Sequence, residues 1–214
     1  MEEQETEVRD GVGDPDAFGR LWTPHRIAYI KGENRAEGTG SDGCPFCRIP
    51  GMDDVAGLVV RRGEHAYAVL NLYPYNPGHL MLVPYRHVAD YADLTAAEAV
   101  EIAALTQDAL RALRAASGAH GFNVGMNLGT VAGAGIAAHL HQHVVPRWTG
   151  DGNFLPIIAH TKNMSQTLGQ TREILARVWP QAAAEHAARR ERNTQAASSA
   201  PTGTDAPRTP GASA

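Results

Sequence analysis

Alternating or continuous runs of apolar residues mark several short segments in the middle of the chain. Residues 58–62 and 65–70 are strand-like, and Gly63-Glu64 between them indicates the turn of a β-hairpin. Residues 79–84 form a mostly apolar run that is consistent with a strand buried on both faces. Residues 122–127 alternate in the manner of a further strand. The pattern therefore predicts that a β-sheet forms the centre of the protein.

One long helix is predicted to follow the third of these strands. Thr95 is a suitable N-cap, and Glu98 three residues later completes a capping box. Apolar residues then recur at helical spacing, and Gly118 is expected to end the helix. A second helix is predicted over residues 167–178. The chain should therefore combine a sheet with two helices.

The two ends of the chain differ in composition from the middle. Residues 1–19 are polar, acidic and rich in Gly, which predicts a flexible arm. From residue 181 onward the chain has almost no large apolar side chain, which predicts a disordered tail over residues 181–214. A single domain is expected between them, over residues 20–180.

Three histidines at alternating positions occupy the segment Ala138–Trp148. We expect this segment to be a strand, whose period of two would place His139, His141 and His143 on one face. Adjacent imidazoles are poor packing residues, since their nitrogens need polar partners and titrate near neutral pH. The segment therefore predicts a functional site.

Charge and hydropathy limit the classes of partner. The formal net charge is -4 and no basic cluster is present, which argues against nucleic acid as an obligate partner, although nucleotides remain compatible. The sequence contains no apolar run long enough to span a membrane and no apolar signal region in its first 20 residues. We therefore expect a cytoplasmic protein without membrane association.

The two cysteines are spaced as Cys44-Pro-Phe-Cys47. In a reducing compartment this spacing favours half of a metal site or a redox motif over a structural disulfide. His87 and one of the alternating histidines are candidates to complete a tetrahedral zinc site, which would be closed and structural. The alternatives are two small buried residues near a turn and, less favoured, a thioredoxin-like motif.

The alternating histidines allow three interpretations. They could hold a catalytic metal, although three ligands on one strand are geometrically awkward. They could be core residues, which would be more plausible for a single histidine. In the third interpretation one imidazole attacks a phosphorus or acyl centre while its neighbours orient it and stabilise the charged oxygens.

The third interpretation is supported by a resemblance to a known family. The segment His139-Leu-His-Gln-His-Val-Val145 resembles the signature of the histidine triad superfamily of nucleotide hydrolases and transferases, with Gln142 at a position that is nominally apolar. Residues 71–84 resemble the family's upstream loop and strand, and Cys44-Pro-Phe-Cys47 resembles its zinc-binding branch. Residues 71–79, 146–148 and 152–154 resemble the corresponding residues in one branch of the superfamily. Enzymes of that branch split diadenosine tetraphosphate with phosphate as the acceptor.

The resemblance implies roles for individual residues. His141 would be the nucleophile that carries a nucleoside monophosphate, and His143 would bind phosphate oxygens and assist it. Asn71 matches the residue that holds the ribose hydroxyls. Asn127 matches an amide near the phosphates, with a turn-forming Asn as an equally weighted alternative.

The metal set implied by the resemblance is Cys44, Cys47, His87 and His139, which would bind a structural zinc ion. The attack by imidazole would then need no catalytic metal.

The glycine-rich loop before the histidines is a second candidate phosphate contact. Gly133, Ala134 and Gly135 would leave backbone N–H groups unobstructed beside the site, suited to polyphosphate oxygens, unless the loop is a simple connection. Many family members have Gln or Ser where this chain has Gly135. Gly135 can offer the phosphates only its backbone N–H. This difference leaves open whether phosphate or water is the acceptor.

The resemblance also implies the fold and the overall function. We expect an α+β histidine-triad fold with an antiparallel sheet, one long helix and a C-terminal helix, forming a homodimer whose sheet continues across the subunits. The expected activity is nucleotidyl transfer from a diadenosine polyphosphate, through a covalent His-AMP intermediate, to phosphate or water. The alternatives are a hydrolase of nucleoside phosphoramidates such as adenylyl-lysine and a nucleotide-binding module with impaired catalysis.

Overall fold

The computed structural model describes residues 43–151 and 165–199. The predicted N-terminal arm over residues 1–19 lies outside the described residues, as do the motif residues 152–154.

A five-stranded antiparallel sheet forms the centre of the described structure, with strand order β1-β2-β3-β5-β4. The strands are β1 (Val59–Arg62), β2 (Ala66–Leu70), β3 (Leu80–Pro84), β4 (Gly121–Met126) and β5 (Gln142–Arg147). The predicted hairpin is confirmed, since β1 and β2 pair antiparallel around Gly63. The predicted α+β class with an antiparallel sheet is also confirmed.

In the described residues, three α-helices accompany the sheet: α1 (Pro45–Arg48), α2 (Ala96–Ser117) and α3 (Leu168–Ser199). The predicted capping box of α2 is confirmed, because the Thr95 hydroxyl accepts from the Glu98 N–H and the Glu98 carboxylate accepts from the Thr95 N–H at 2.8 Å. Gly118 ends the helix with φ +61°. Neither α2 nor any other helix in the described segments is both long and apolar enough to cross a bilayer.

The main core lies between the sheet and the two long helices. Helix α2 packs on β2, β3 and β5, and α3 packs on α2 and β1. The buried residues of this core are Val60, Ala66, Ala68, Leu70, Leu80, Leu82, Ile102, Leu105, Ala109, Ala112, Leu113, Val144, Leu175, Trp179 and Ala182. This packing leaves the opposite face of the sheet to a different set of residues.

A smaller apolar cluster covers that opposite face. Its members are Cys44, Phe46, Val59, Tyr67, Val69, Met81 and Val83. Helix α1 is fixed there because the Tyr67 hydroxyl donates to the carbonyl of Phe46 at 2.7 Å. The cysteine motif is thus held against the face of the sheet on which His143 lies, since His143 is the direct partner of Met81.

Helix α3 continues well beyond the predicted helix and into the predicted disordered tail. It extends to Ser199, and Ala182 is still buried in the core at 4% exposure. The segment is rich in Ala, which has the highest helix propensity, so a helix forms there although few large apolar residues are present. The tail prediction is therefore wrong for residues 181–199, and residues 200–214 lie outside the described residues.

The strand that carries the histidines is shorter than its alternating pattern predicts. It begins at Gln142, so that His139 and His141 precede it and only His143 belongs to it. The ladder to β3 ends where Leu82 pairs with Gln142. Pro84, which the same register would place opposite Leu140, has no N–H to donate, and the Leu140 N–H donates instead to the carbonyl of Val88 at 2.6 Å.

Candidate active site

Four predicted metal ligands lie together at the edge of the smaller apolar cluster. The ligand atoms of Cys44, Cys47, His87 and His139 are all within 4.8 Å of one another. The short helix α1 brings the two cysteines to the same side, as its first turn closes with a bond from the Cys47 N–H to the Cys44 carbonyl at 3.2 Å. His87 reaches the cluster from the loop after β3, and His139 from the segment before β5.

The imidazole of His139 is oriented for metal binding. Its Nε2–H donates to the carbonyl of Pro84 at 2.9 Å, which leaves the Nδ1 lone pair facing both sulfurs at 3.4 Å. The other imidazole nitrogen in contact, Nδ1 of His87, lies 3.2 Å from Sγ of Cys47. Tetrahedral bonds of about 2.3 Å to sulfur and about 2.05 Å to nitrogen place these ligand atoms roughly 3.6 Å apart, close to the spacing seen.

A metal ion also explains the contacts better than thiol hydrogen bonds do. Both sulfurs face one lone pair of His139, which can accept a proton from only one of them. One metal ion bound by two soft thiolates and two imidazoles gives each of the four ligand atoms a partner. The set therefore fits a tetrahedral metal ion with all positions taken by protein ligands.

His141 is buried, at 6% exposure, and its orientation is fixed by its own chain. Its Nδ1–H donates to the carbonyl of His139 at 2.9 Å, so the lone pair lies on Nε2. Burial lowers its pKa, although the hydrogen bond to the His139 carbonyl acts in the opposite direction. A neutral imidazole with an available Nε2 is the form that attacks an electrophile.

His143 lies beside His141, with ring centroids 4.9 Å apart and planes nearly perpendicular. Burial, assisted by the nearby His141, lowers the pKa of His143 to about 4. Both side chains are therefore neutral near pH 7. The pair can supply one nucleophilic nitrogen and one neighbouring N–H group at the same centre.

Sequence comparison identifies relatives of this chain. The family model described as HIT domain matches residues 54–150. Over 172 residues the chain is 52% identical to a Mycobacterium tuberculosis protein named AP-4-A phosphorylase, an alignment that covers 79% of this chain and 88% of the relative. The chain belongs to the HIT-domain family.

Two solved structures of HIT proteins are similar in fold as well. A Zn-bound histidine triad family protein from Mycobacterium smegmatis has a TM-score of 0.52 at 26% identity, covering 66% of this chain and 96% of that protein. A hypothetical histidine triad nucleotide-binding protein from Sulfolobus tokodaii has the same TM-score and identity. That alignment covers 66% of this chain and 93% of the other protein. The predicted histidine-triad fold is therefore confirmed.

His79 is a residue of this HIT domain that the sequence analysis did not select. It is fully buried, and its Nε2 lies 3.0 Å from Nδ1 of His143. Because the Tyr75 N–H donates to Nδ1 of His79 at 3.0 Å, the His79 proton must be on Nε2, where it is donated to His143. A single polar residue at the start of an apolar strand was the available signal in the sequence.

Phe46 is a second residue near the site that was not predicted from the sequence. Its ring lies 5.6 Å from the centroid of His139 and 5.0 Å from that of His141. Phe46 therefore packs against both His139 of the metal-ligand cluster and His141. Its signal in the sequence was its place between Cys44 and Cys47.

The two predicted amides occupy different environments. The Asn71 side chain accepts from the Tyr73 N–H at 2.9 Å, and its Nδ2 lies 3.4 Å from Nδ1 of His79. Asn127 follows β4, and continuing the pairing of Gly125 with His143 places it on the histidine face, level with His141. Within the described part of the chain, the Asn127 amide makes no hydrogen bond, so it can point to a ligand.

The glycine-rich loop offers fewer free donors than expected. The Gly133 N–H donates to Thr130 at 3.0 Å and the Ala134 N–H to Gly129 at 3.3 Å, so both are used in the turn. Gly133 has φ +93°, a conformation that favours glycine. The expectation of three unobstructed N–H groups is therefore wrong for residues 133 and 134. Among the described residues, the Gly135 N–H has no such bond.

Gln142, the departure from the family's apolar pattern, points away from the histidine face. Its Nε2 donates to the Thr106 hydroxyl at 2.6 Å, and that hydroxyl donates to the carbonyl of Ile102 at 2.6 Å. The departure therefore adds a polar link from β5 to helix α2 without changing the site.

Proposed function

We propose that this protein is a nucleotidyl transferase that cleaves diadenosine polyphosphates at the α-phosphate, with phosphate as the acceptor. The observation that carries the proposal is the fixed Nε2 lone pair of the buried His141, in a chain that is 52% identical to a protein named AP-4-A phosphorylase.

In the first step, Nε2 of His141 attacks the α-phosphorus. An N–P bond forms, the bond to the bridging oxygen breaks, and for diadenosine tetraphosphate the leaving group is ATP. The Nδ1–H bond to the His139 carbonyl stabilises the positive charge that develops on the imidazole. The product is an adenylyl group on His141.

In the second step, an oxygen of inorganic phosphate attacks the same phosphorus and the N–P bond breaks. ADP is released and His141 regains its lone pair, so the sum is one dinucleotide plus phosphate giving ATP plus ADP. Water in place of phosphate would give AMP.

The neighbouring groups stabilise the phosphate oxygens. The Nε2–H of His143 and the amide of Asn127 are donors on the same face, and Gly135 contributes its backbone N–H. Gly133 has its N–H committed to the turn, so we assign it a conformational role in the loop rather than a donor role. Asn71, beside His79, is proposed to hold the ribose hydroxyls.

The metal bound by Cys44, Cys47, His87 and His139 is proposed to be a structural zinc ion. The donor set supports zinc, and a related HIT protein of M. smegmatis has been described as Zn-bound. When bound, the ion would tie α1 to the segment before β5. Since all four positions are taken by protein ligands, the reaction needs no contribution from it.

The protein is further proposed to be a homodimer formed through β4. This strand lies at the edge of the sheet, and Val124 on it is 46% exposed. Leu128 and Val131, which follow β4, are exposed apolar residues too. An edge with unpaired backbone groups and apolar side chains is suited to pairing with a second copy.

Product analysis tests the catalytic proposal. Purified protein is incubated with diadenosine tetraphosphate, with and without inorganic phosphate, and the nucleotides are separated. We expect ATP and ADP to appear only when phosphate is present. Loss of turnover on the order of 10⁴-fold is expected for His141→Asn. His65→Asn, at a histidine whose side chain is 40% exposed, is the matched control and should retain activity.

Three other results would contradict the proposal. ATP and AMP formed irrespective of phosphate would make water the acceptor. Rapid release of AMP from a nucleoside phosphoramidate, without turnover of the dinucleotide, would indicate a phosphoramidate hydrolase. Nucleotide binding without turnover of either substrate, unchanged in His141→Asn, would indicate a binding module.

Elemental analysis tests the zinc proposal independently. Reduced, carefully purified protein should contain about one zinc ion per chain. Cys47→Ser should lose the metal and melt at a lower temperature, because metal binding contributes directly to folding. Wild-type protein that is free of metal and as stable as a zinc-loaded sample would refute the proposal.

A further inference from the structure

Three polar side chains form a hydrogen-bonded network at the end of β5 remote from the reacting nitrogen of His141. The Arg147 guanidinium donates to both oxygens of Asp151, at 2.6 and 3.0 Å, and to the side-chain oxygen of Asn123 at 2.8 Å. The Trp148 N–H also donates to Asp151, at 3.2 Å. The Arg147 hydrogen bonds hold the pKa of the Asp151 carboxyl well below its usual range, so it remains ionised.

This network holds the loop between β2 and β3. The side-chain amide of Asn76 donates to Asp151 at 2.8 Å and to the carbonyl of Pro146 at 3.0 Å, so both of its protons are used. The backbone of Asn76 accepts from the N–H of His79 at 3.1 Å. Asn76 therefore connects the anchored turn after β5 to the loop that reaches the catalytic histidines.

Tyr75, the residue before Asn76, connects the held loop to the histidines of the site. The backbone N–H of Tyr75 donates to Nδ1 of His79, and its ring lies 4.6 Å from that of His79 and 5.7 Å from that of His143. A donor at Nδ1 forces the His79 proton onto Nε2, which is 3.0 Å from Nδ1 of His143. The proton of neutral His143 must then lie on Nε2.

We propose that Asn76 and Asp151 are positioning residues that set the tautomer of His143 through the Tyr75 N–H and His79. With the loop held, His143 presents a donor to the phosphate oxygens beside His141. With the loop released, His79 can carry its proton on Nδ1 and accept at Nε2, and His143 then loses the constraint that fixes its Nε2–H.

The consequence for catalysis rests on the function proposed above, whereas the consequence for the tautomers does not. Two readouts are therefore measured on the same full-length protein. Long-range ¹⁵N–¹H correlation NMR of labelled histidines reports which nitrogen carries the proton. Steady-state kinetics with diadenosine tetraphosphate and phosphate report kcat and KM separately.

The decisive variant is Asn76→Ala, which removes the link while leaving Asp151 and Arg147 paired. We expect His79 and His143 to change from the Nε2–H form to a mixture of tautomers, and kcat to fall about tenfold or more with a smaller change in KM, as for other losses of orientation. Asp151→Asn is the second variant, should Asn76→Ala fail to fold. It preserves shape but replaces one acceptor oxygen, so a change in the same direction is expected.

The matched control is Asn123→Ala, which breaks the other hydrogen bond of Arg147 but not the contact with the loop. It should leave both tautomers and kcat unchanged. Unaltered tautomers in folded Asn76→Ala or Asp151→Asn would overturn the proposal, as would equal effects in the control. If the wild type turns over no dinucleotide but the tautomers still shift, the proposed function fails while the positioning role stands.

Discussion

Each of the three alternating histidines carries its proton on a nitrogen selected by a different partner. His139 donates from Nε2 to Pro84, and His141 donates from Nδ1 to His139. His143 keeps its proton on Nε2 because Nδ1 accepts from His79. Three identical side chains thus present a lone pair to the sulfurs, a lone pair on Nε2 of His141 and a donor beside it. The alternating positions of the histidines in the sequence indicated that they share a site, but not which nitrogen of each imidazole carries the proton.

The environment of His143 predicts a pH dependence of folding stability. Burial lowers its pKa to about 4, whereas an unfolded imidazole titrates near about 6.5. As pH falls between these values, the unfolded chain gains a proton that folded His143 does not. Its stabilising contribution is therefore complete above about pH 6.5 and is lost toward pH 4, by on the order of 3 kcal/mol.

Denaturant unfolding of wild type and His143→Asn at several pH values measures this contribution. Asn offers an oxygen at the position of Nδ1 to accept from His79 and does not titrate. Between pH 7 and pH 4, the unfolding free energy of the variant should fall by about 3 kcal/mol less than that of the wild type. The remaining histidines and the metal ligands are the same in both proteins, so their contributions to the pH dependence of stability cancel when the two proteins are compared. Parallel curves would show that His143 is not held neutral by burial.

Among whole elements, helix α2 was the most predictable and the histidine strand the least. Local chemistry specifies the ends of α2, through Thr95, Glu98 and Gly118. The start of β5 depends on distant residues, because the carbonyl of Pro84 is occupied by His139 and not by a ladder partner. Alternation reports which side chains share a face, and only tertiary contacts determine where the ladder ends.

Helix α2 also holds the β1–β2 hairpin through one carboxylate. Glu101 accepts from three successive backbone N–H groups of the turn, those of Glu64, His65 and Ala66. Glu101→Ala leaves these donors without their acceptor and should lower the unfolding free energy by about 2 kcal/mol. The loss is reduced because water can reach the N–H of Glu64. Gly63→Ala should also destabilise, because its Cβ would lie 2.8 Å from the backbone carbonyl oxygen of Ala66 and 2.5 Å from Oε1 of Glu101.

Val100→Ala is the matched control for Glu101→Ala, since Val100 lies on the same helix and is 69% exposed. It should change the unfolding free energy by no more than about 0.5 kcal/mol. Urea unfolding of the three variants measures the comparison. Equal stabilities of Glu101→Ala and the control would mean that water replaces the carboxylate without loss.

Over the whole molecule, the sheet and the metal set bring together segments far apart in the chain. The cysteines and His139 are more than 90 residues apart in sequence, yet their ligand atoms touch. The sequence contained the ligands but not their proximity, which came from the family resemblance. The order of the strands was likewise not accessible from local patterns, because it depends on β5 inserting between β3 and β4.

That strand order leaves β4 as the edge on which the proposed homodimer depends. A charge on this edge should oppose pairing with a second copy, since it must be desolvated or face its own symmetry mate. We therefore expect Val124→Lys to shift the molar mass measured by light scattering toward the monomer and to make that mass depend on concentration. Val55→Lys, at an exposed apolar residue that precedes β1 at the opposite edge, should remain dimeric. A wild-type monomer at all concentrations, or a variant as dimeric as the wild type, would refute assembly through β4.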